Sequence, residues 1–255
     1  MNSMISFLLG ILYSSLSETT DTRIALEILK NQKNLQRMTL KELSEKCDVS
    51  VATLNKFFKQ LGCRNMAEFK LHIVRGQNIR REQIRLRMEK MDDKTILDNI
   101  SHLAPQPFNR PLFIKSCEEF NELAHESNQI IILGANYSSA LSLHYQQDMN
   151  MFGKLTYSLS STFGIVIPEP DPKTMIVLVT QSGNTLNFAR DQIADLKAKH
   201  RRISIITGNT GIFKDQSIQN VIRMPITGED EAGNAILIEI YRYLKYKYYK
   251  TYCEE

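Results

Sequence analysis

Cysteine is scarce in these 255 residues, and the four present, Cys47, Cys63, Cys117 and Cys253, form no CxxC pair and have no histidine at zinc-ligand spacing. That pattern argues against a metal site and against a disulfide framework. It makes a reducing cytoplasm the expected compartment, with neither metal nor cofactor. Long apolar runs are scarce too. Ile5 to Tyr13 (ISFLLGILY) imitates a targeting signal, but it has no basic residue before it and is too short to span a bilayer. It reads as an apolar N-terminal helix, open to packing on a second subunit. A large excess of one charge is also missing, since 32 Lys and Arg face 28 Asp and Glu for a net +4. The small excess is unevenly placed: residues 1–75 hold eleven basic against seven acidic side chains, whereas 101–255 hold fifteen against sixteen. A basic head on a neutral body fits a nucleic-acid-binding segment, and equally fits scatter over solvated faces.

What is present begins with a hydrophobic content of 42%, enough for one large or two modest cores. The most informative stretch is Thr39 to Lys70. Leu40 and Leu43 give a short helix one apolar face, and Thr39 with Glu42 has the spacing of a capping box. The pattern breaks at Cys47-Asp48-Val49. Ser50 then caps a second helix with Leu54, Phe57, Phe58 and Leu61 on one side and Ala52, Thr53, Asn55, Lys56, Lys59 and Gln60 on the other. Gly62 ends it as a C′ residue, and Asn65 with Glu68 opens a further helix. Short polar side chains near a helix N-terminus, flanked by lysines, suit a helix that reads base edges and neutralises phosphates in a major groove. Two amphipathic helices around a tight turn also occur in domains that never meet DNA.

The order T-L-K-E-L-S-E-K, V-S-V-A-T-L-N-K-F, K-Q-L-G, F-K resembles the N-terminal domain of RpiR-type bacterial transcriptional regulators over roughly the first third of the chain. The resemblance implies a double-stranded DNA operator as partner, met through Thr39, Ser50, Ala52, Thr53, Asn55, Lys56 and Lys59. Lys56 stands where the family usually has Arg, which keeps the charge and loses the bidentate fork.

Around this stretch, Thr19-Thr20-Asp21 starts a helix through about Asn31. Residues after Phe69 form a charged connecting helix with Ile73, Ile79, Ile84, Met88 and Met91 at loose helical spacing. Its Arg80, Arg81, Arg85 and Arg87 alternate with Glu82 and Glu89, the pattern of a solvated face with DNA backbone as the other reading. Thr95 to Ala104 and Leu112 to Ala124 are helical patterns separated by prolines, so a domain boundary falls between Gly76 and Pro107. Thereafter Gln129 to Leu133, Met175 to Val179 and Ile203 to Ile206 are short apolar runs that stop at small polar residues. The first two lead into helices over Ser138 to Phe152 and Asn184 to Lys199, which implies a parallel sheet flanked by helices. Asn220 to Met224 is a last strand and Glu229 to Tyr249 a long C-terminal helix. The apolar run Ile236, Leu237, Ile240, Tyr241, Leu244 and Tyr248 within it suggests a subunit contact.

Ligands of such sheets bind beyond the carboxyl ends of strands. Two loops have suitable residues, Gly134-Ala135-Asn136-Tyr137-Ser138-Ser139 and Thr180-Gln181-Ser182-Gly183-Asn184-Thr185, without a P-loop lysine or a G-x-G-x-x-G. These loops, best at IVLVTQSGNT, resemble those of the sugar isomerase (SIS) domain that follows the DNA-binding head in RpiR-type regulators. The resemblance implies a phosphosugar held by Ser138 and Ser139 from the first loop and by Thr180, Ser182, Gly183, Asn184 and Thr185 from the second. Asn136 departs from the usual Gly, and Thr180 from the commoner Ser. The expected chain is therefore multi-domain: an all-α helix-turn-helix domain at 1–76, a helical linker at 77–108 and an α/β SIS domain at 109–255. Its expected function is that of a non-enzymatic regulator modulated by a phosphorylated sugar, forming a homodimer or homotetramer and touching no membrane. The alternative is a phosphosugar isomerase or lyase of the SIS type, whose base would come from His144, Glu229, Glu231 or Glu239.

Overall fold

The structure, a computed structural model, describes residues 4–15, 18–160, 173–184, 194, 198, 202–209, 211, 218–226 and 231–254. The chain divides into two compact units, Met1–Leu86 and Arg87–Glu255. No helix among the described residues is long and apolar enough to cross a membrane.

The first unit is helical: α1 (Met4–Ser14), α2 (Thr20–Lys30), α3 (Leu40–Lys46), α4 (Val51–Gln60) and α5 (Met66–Met88). Helices of seven and ten residues do not hold alone in water, so α3 and α4 depend on what they bury. Leu43, Leu54, Phe57, Phe58 and Phe69 are all buried, and the Phe58 and Phe69 rings lie 4.7 Å apart. Each such side chain stabilises by about 1.5–3 kcal/mol, more than the roughly 1 kcal/mol of a cap, so packing sets the fold and caps set the ends. Thr39 and Glu42 form the capping box of α3, and Ser50 Oγ accepts from the Thr53 amide at the start of α4. Glu68 departs slightly from a capping box: its carboxylate accepts from the Arg64 amide at 2.7 Å, while Asn65 Oδ1 accepts from the Glu68 amide.

Both helices of the pair end alike. After α4, Gly62 at φ 79° lets the Cys63 amide donate to the Phe58 carbonyl and its own amide to Lys59. After α3, Asp48 at φ 49° does the same, with the Val49 amide on the Ser44 carbonyl and its own on Glu45. These are paired Schellman stops, and a non-glycine residue carries the strain of the left-handed conformation in the second. Lys70 Nζ donates to the carbonyls of Gln36 and Met38 and ties the α2–α3 connection to α5. The apolar α1 packs on α2, burying Ile5, Leu8, Leu9 and Leu12 within its own chain while Phe7 remains 51% exposed.

The second unit contains α6 (Asp93–Leu103), α7 (Arg110–Glu126), β1 (Gln129–Gly134), α8 (Asn136–Leu141), α9 (Leu143–Met151), β2 (Leu155–Ser160), β3 (Thr174–Thr180), β4 (Ile203–Thr207), β5 (Asn220–Arg223) and α10 (Glu231–Tyr252). The strands form one parallel sheet in the order β2-β1-β3-β4-β5. Ile130, Ile132, Met175 and Val177 on one face, and Ile131, Ile176, Leu178 and Ile205 on the other, are all buried, as a parallel sheet with both faces covered requires.

Several expectations need correction. The edge strand β2 went unrecognised because its sequence, LTYSLS, alternates with hydroxyls. Thr156 and Ser158 are fully buried, with the Ser158 amide donating to Gln146 Oε1 and Asn150 Nδ2 to the Thr156 carbonyl. The single helix expected over Ser138 to Phe152 is interrupted at Ser142, whose Oγ bonds back to the Ser139 carbonyl. The apolar run of α10 needs no second subunit: Ile236, Leu237, Ile240, Tyr241, Leu244 and Tyr248 all lie in the core of their own unit. Ile79, grouped with Ile73 and Ile84 at loose helical spacing, differs from them in being 61% exposed. Arg87 is not merely solvated, for it bonds the buried Asp148 at 3.0 Å.

Candidate functional site

In the helical unit the surface of α4 sorts as its sequence demands. Ala52, Lys56, Lys59 and Gln60 are exposed and Thr53 and Asn55 half-buried, with Leu54, Phe57 and Phe58 turned inward. The hydroxyls of Thr39 and Ser50 are engaged as helix caps, which leaves these two exposed residues at the entry of α3 and α4. The Thr39 amide and hydroxyl also hold the Glu42 carboxyl below its ordinary range. Thr53 Oγ1 lies 2.9 Å from Ser50 Oγ, so its rotamer is fixed at the start of the helix. Val51, absent from the sequence-based set, is 40% exposed at the first position of α4. There an apolar side chain suits a thymine methyl, and its signal was a β-branched residue directly after the cap. The result is a helix N-terminus with short side chains in front and two exposed lysines behind, an arrangement that suits the major groove of a duplex.

In the second unit the strand order places the two candidate loops side by side. Chain progression leaves β1 for β2 on one side and resumes at β3 on the other, so the switch point of the sheet lies between the carboxyl ends of β1 and β3. Gly134 is in register with Val179, which brings Ser138 and Ser139 next to Thr180 to Asn184. Ser138 is 8% exposed and Ser139 fully buried, with Ser139 Oγ lacking a hydrogen-bond partner among the described residues. Thr180 Oγ1 accepts from the Gly183 amide at 3.0 Å and Ser182 Oγ from the Asn184 amide at 3.3 Å. Thr180 therefore shapes the turn from within, while Ser182 is half-buried and Asn184 exposed. Thr185, and most of the helix expected after it, lie outside the described residues.

A third loop, which the sequence reading did not assign, braces the second. Asn209 Nδ2 donates to the Ser182 carbonyl at 2.9 Å, and the Gly208 amide donates to the Gln181 carbonyl at 3.0 Å. Gly183 takes φ 86°, and a Cβ there would lie 2.3 Å from Asn209 Nδ2. Both the conformation and the approach exclude a side chain. Gln181 Nε2 reaches Asn234 on α10 at 2.7 Å. The clue to Asn209 was available, since Thr207-Gly208 ends a buried strand just as Thr180 does.

Elsewhere in this unit a buried charge group joins α9 and α10. Asp148 accepts from Lys245 at 2.9 Å and from Arg87 at 3.0 Å, and burial pushes the Lys245 ammonium below its ordinary pKa. His144, one turn before Asp148, has Nδ1 on the Leu141 carbonyl and Nε2 buried without a hydrogen-bond partner among the described residues. Burial, reinforced by Lys245, lowers its pKa to about 4, so it is neutral at physiological pH. Glu239 is held by Arg242 at 2.6 Å, Glu231 is exposed at the start of α10, and Glu229 lies outside the described residues.

Residues 8–77 match the family described as "Helix-turn-helix domain, rpiR family". No curated protein matches the sequence. Among solved structures, the sugar isomerase domain of an RpiR transcription factor from Sphaerobacter thermophilus is similar over 62% of this chain and 87% of its own, at 15% identity and a TM-score of 0.47. The NanR protein of Vibrio vulnificus, complexed with ManNAc-6P, is similar over 97% of this chain and 92% of its own, at 15% identity and a TM-score of 0.45. The match to that helix-turn-helix family is thus confined to residues 8–77, and a parallel α/β domain follows in the chain.

Proposed function

We propose that this chain is a cytoplasmic transcriptional regulator whose grip on a double-stranded operator is modulated by a phosphorylated sugar bound at the β1/β3 switch point. The observation that carries the reading is the convergence of two Ser/Thr loops at that one point, on a chain whose head is a DNA-binding type of domain. A phosphate there meets Ser138, Ser139 and Ser182, with the amides of Gly183 and Asn184 now held by the loop's own hydroxyls and free to exchange toward an anion. Thr185 completes the clasp in this reading. The regulator acts as a homodimer, or a tetramer built from dimers, so that effector binding changes how two heads match two half-sites. The sugar is bound and not turned over. In support, burial lowers the His144 pKa to about 4, which makes its Nε2 a weak base, and Glu239 is engaged by Arg242.

Isothermal titration against a panel of sugar phosphates, paired with operator binding with and without each ligand, tests the proposal. One sugar phosphate should bind and shift operator affinity. Ser182→Ala with Thr185→Val should erase that shift and leave effector-free DNA affinity unchanged. Isomerisation of the bound sugar, or an effector response that survives in the double variant, would overturn it.

A further inference from the structure

The outward face of α5 carries large apolar side chains that stay exposed among the described residues. Leu71, Ile79 and Leu86 are 45%, 61% and 45% exposed, while Phe69, Ile73 and Ile84 on the opposite face are buried. At 3.6 residues per turn, Leu71, Arg75, Asn78, Ile79, Glu82 and Leu86 fall within an arc of roughly 100°, the width of an apolar stripe that meets another element. All six are exposed and all lie in the helical unit. Their order is self-complementary. Laid antiparallel on a copy of itself with the two-fold axis between Asn78 and Ile79, the helix sets Leu71 opposite Leu86, Arg75 opposite Glu82, and Ile79 beside its own mate.

We propose that this face of α5 is the contact between the helix-turn-helix heads of two copies of the chain, packed as an isologous antiparallel helix pair. The occupant follows from the pattern. A foreign partner would need a matching acidic and basic register of its own, whereas a second copy supplies it by symmetry, with residue i meeting j and j meeting i. Glu82 is already engaged by Arg85 of its own helix at 2.6 Å, but its carboxylate has lone pairs for a second guanidinium. The cross-pair therefore adds to the existing one without breaking it. This inference deepens the homodimer of the proposed function and locates its two-fold axis. It is independent of the sugar site, so the two can fail separately.

The test uses the full chain carrying Cys253→Ser, which removes the half-buried native thiol and leaves the three buried ones. A single Asn78→Cys lies at the axis and should form an interchain disulfide under mild oxidation at least tenfold faster than Arg81→Cys, an exposed position off the stripe. Adding Arg75→Glu should slow that crosslink about tenfold by setting like charges opposite one another. Adding Glu82→Arg to that chain should restore it, because the swapped pair is again complementary. Equal crosslinking at 78 and 81, no crosslinking at 78, or a charge reversal that the second reversal fails to rescue would each overturn the proposal. Titration of sugar phosphates into the same variants reports separately on the effector site.

Discussion

The two units reach a working surface by opposite routes. In the head, every candidate DNA-facing side chain of α4 comes from ten consecutive residues, and its ends are fixed by neighbours three to five positions away. In the body, the candidate loop after β3 is held by Asn209 from 27 residues downstream and by Asn234 from 53, and a buried charge pair joins Asp148 to Lys245 across 97. Local chemistry thus specifies the head, whereas the body works only when distant parts of the chain are already in place. A surface lysine in the head should be replaceable without structural loss; a buried ion in the body should not.

The sharpest way to break the contrast is Asp148→Ala. It strands a buried ammonium at Lys245, and loss of one partner of such a pair costs about 3–5 kcal/mol. The chain has no Trp, and nine of its ten Tyr lie beyond residue 130, so tyrosine emission in a urea titration reports on the body. Its midpoint should fall strongly, and Asp148→Ala with Lys245→Met should recover most of the loss. Next comes Lys56→Ala with Lys59→Ala in the head. Removal of two phosphate contacts should weaken binding to every DNA sequence by roughly ten- to a hundredfold and make the logarithmic salt dependence shallower by about two, with the tyrosine transition unmoved. An unaltered salt slope would take α4 out of the interface.

A third test concerns pH. His144 titrates at about 4 in the folded body against roughly 6.5 unfolded, so the unfolded chain takes up the proton first. The stability of the neutral form is complete above pH 6.5 and is lost as pH falls toward 4, by about 3 kcal/mol. His144→Gln should flatten that part of the urea midpoint's pH profile. The smallest effect belongs to the head. Asp48→Gly relieves the left-handed strain and should stabilise by about 0.5–1 kcal/mol, since the exposed Arg23 pair at 3.4 Å contributes little. Thermal unfolding by circular dichroism, compared with wild type, checks the sign.

The same division explains what could be read in advance. Thr39, Ser50 and Gly62 announced the helix pair because caps and stops act over a few residues. The strands β1, β3 and β4 were visible because a strand buried on both faces is apolar throughout. The strand β2 was hidden because its buried hydroxyls are satisfied by Gln146 and Asn150 of a helix, and no local pattern records a partner. Asn209 and the Asp148–Lys245 pair were hidden for the same reason. Of the site, the sequence marked both loops at the switch point, but not that Thr180 would spend its hydroxyl on the Gly183 amide.

The strand order also has a consequence in time. The strand β1 is flanked by β2 and β3, and both follow it in the chain, so the first interior strand emerges with no neighbour to pair with. The sheet cannot close around it until Thr180 has been made. The head ends near Leu86 and consists of contacts between adjacent helices, which form fast because little chain must be looped to make them. During synthesis the helical head should therefore be complete while the α/β body is still an open chain. In pulse-labelled hydrogen exchange on refolding protein, the amides of Leu54 and Phe58 should gain protection before that of Ile131.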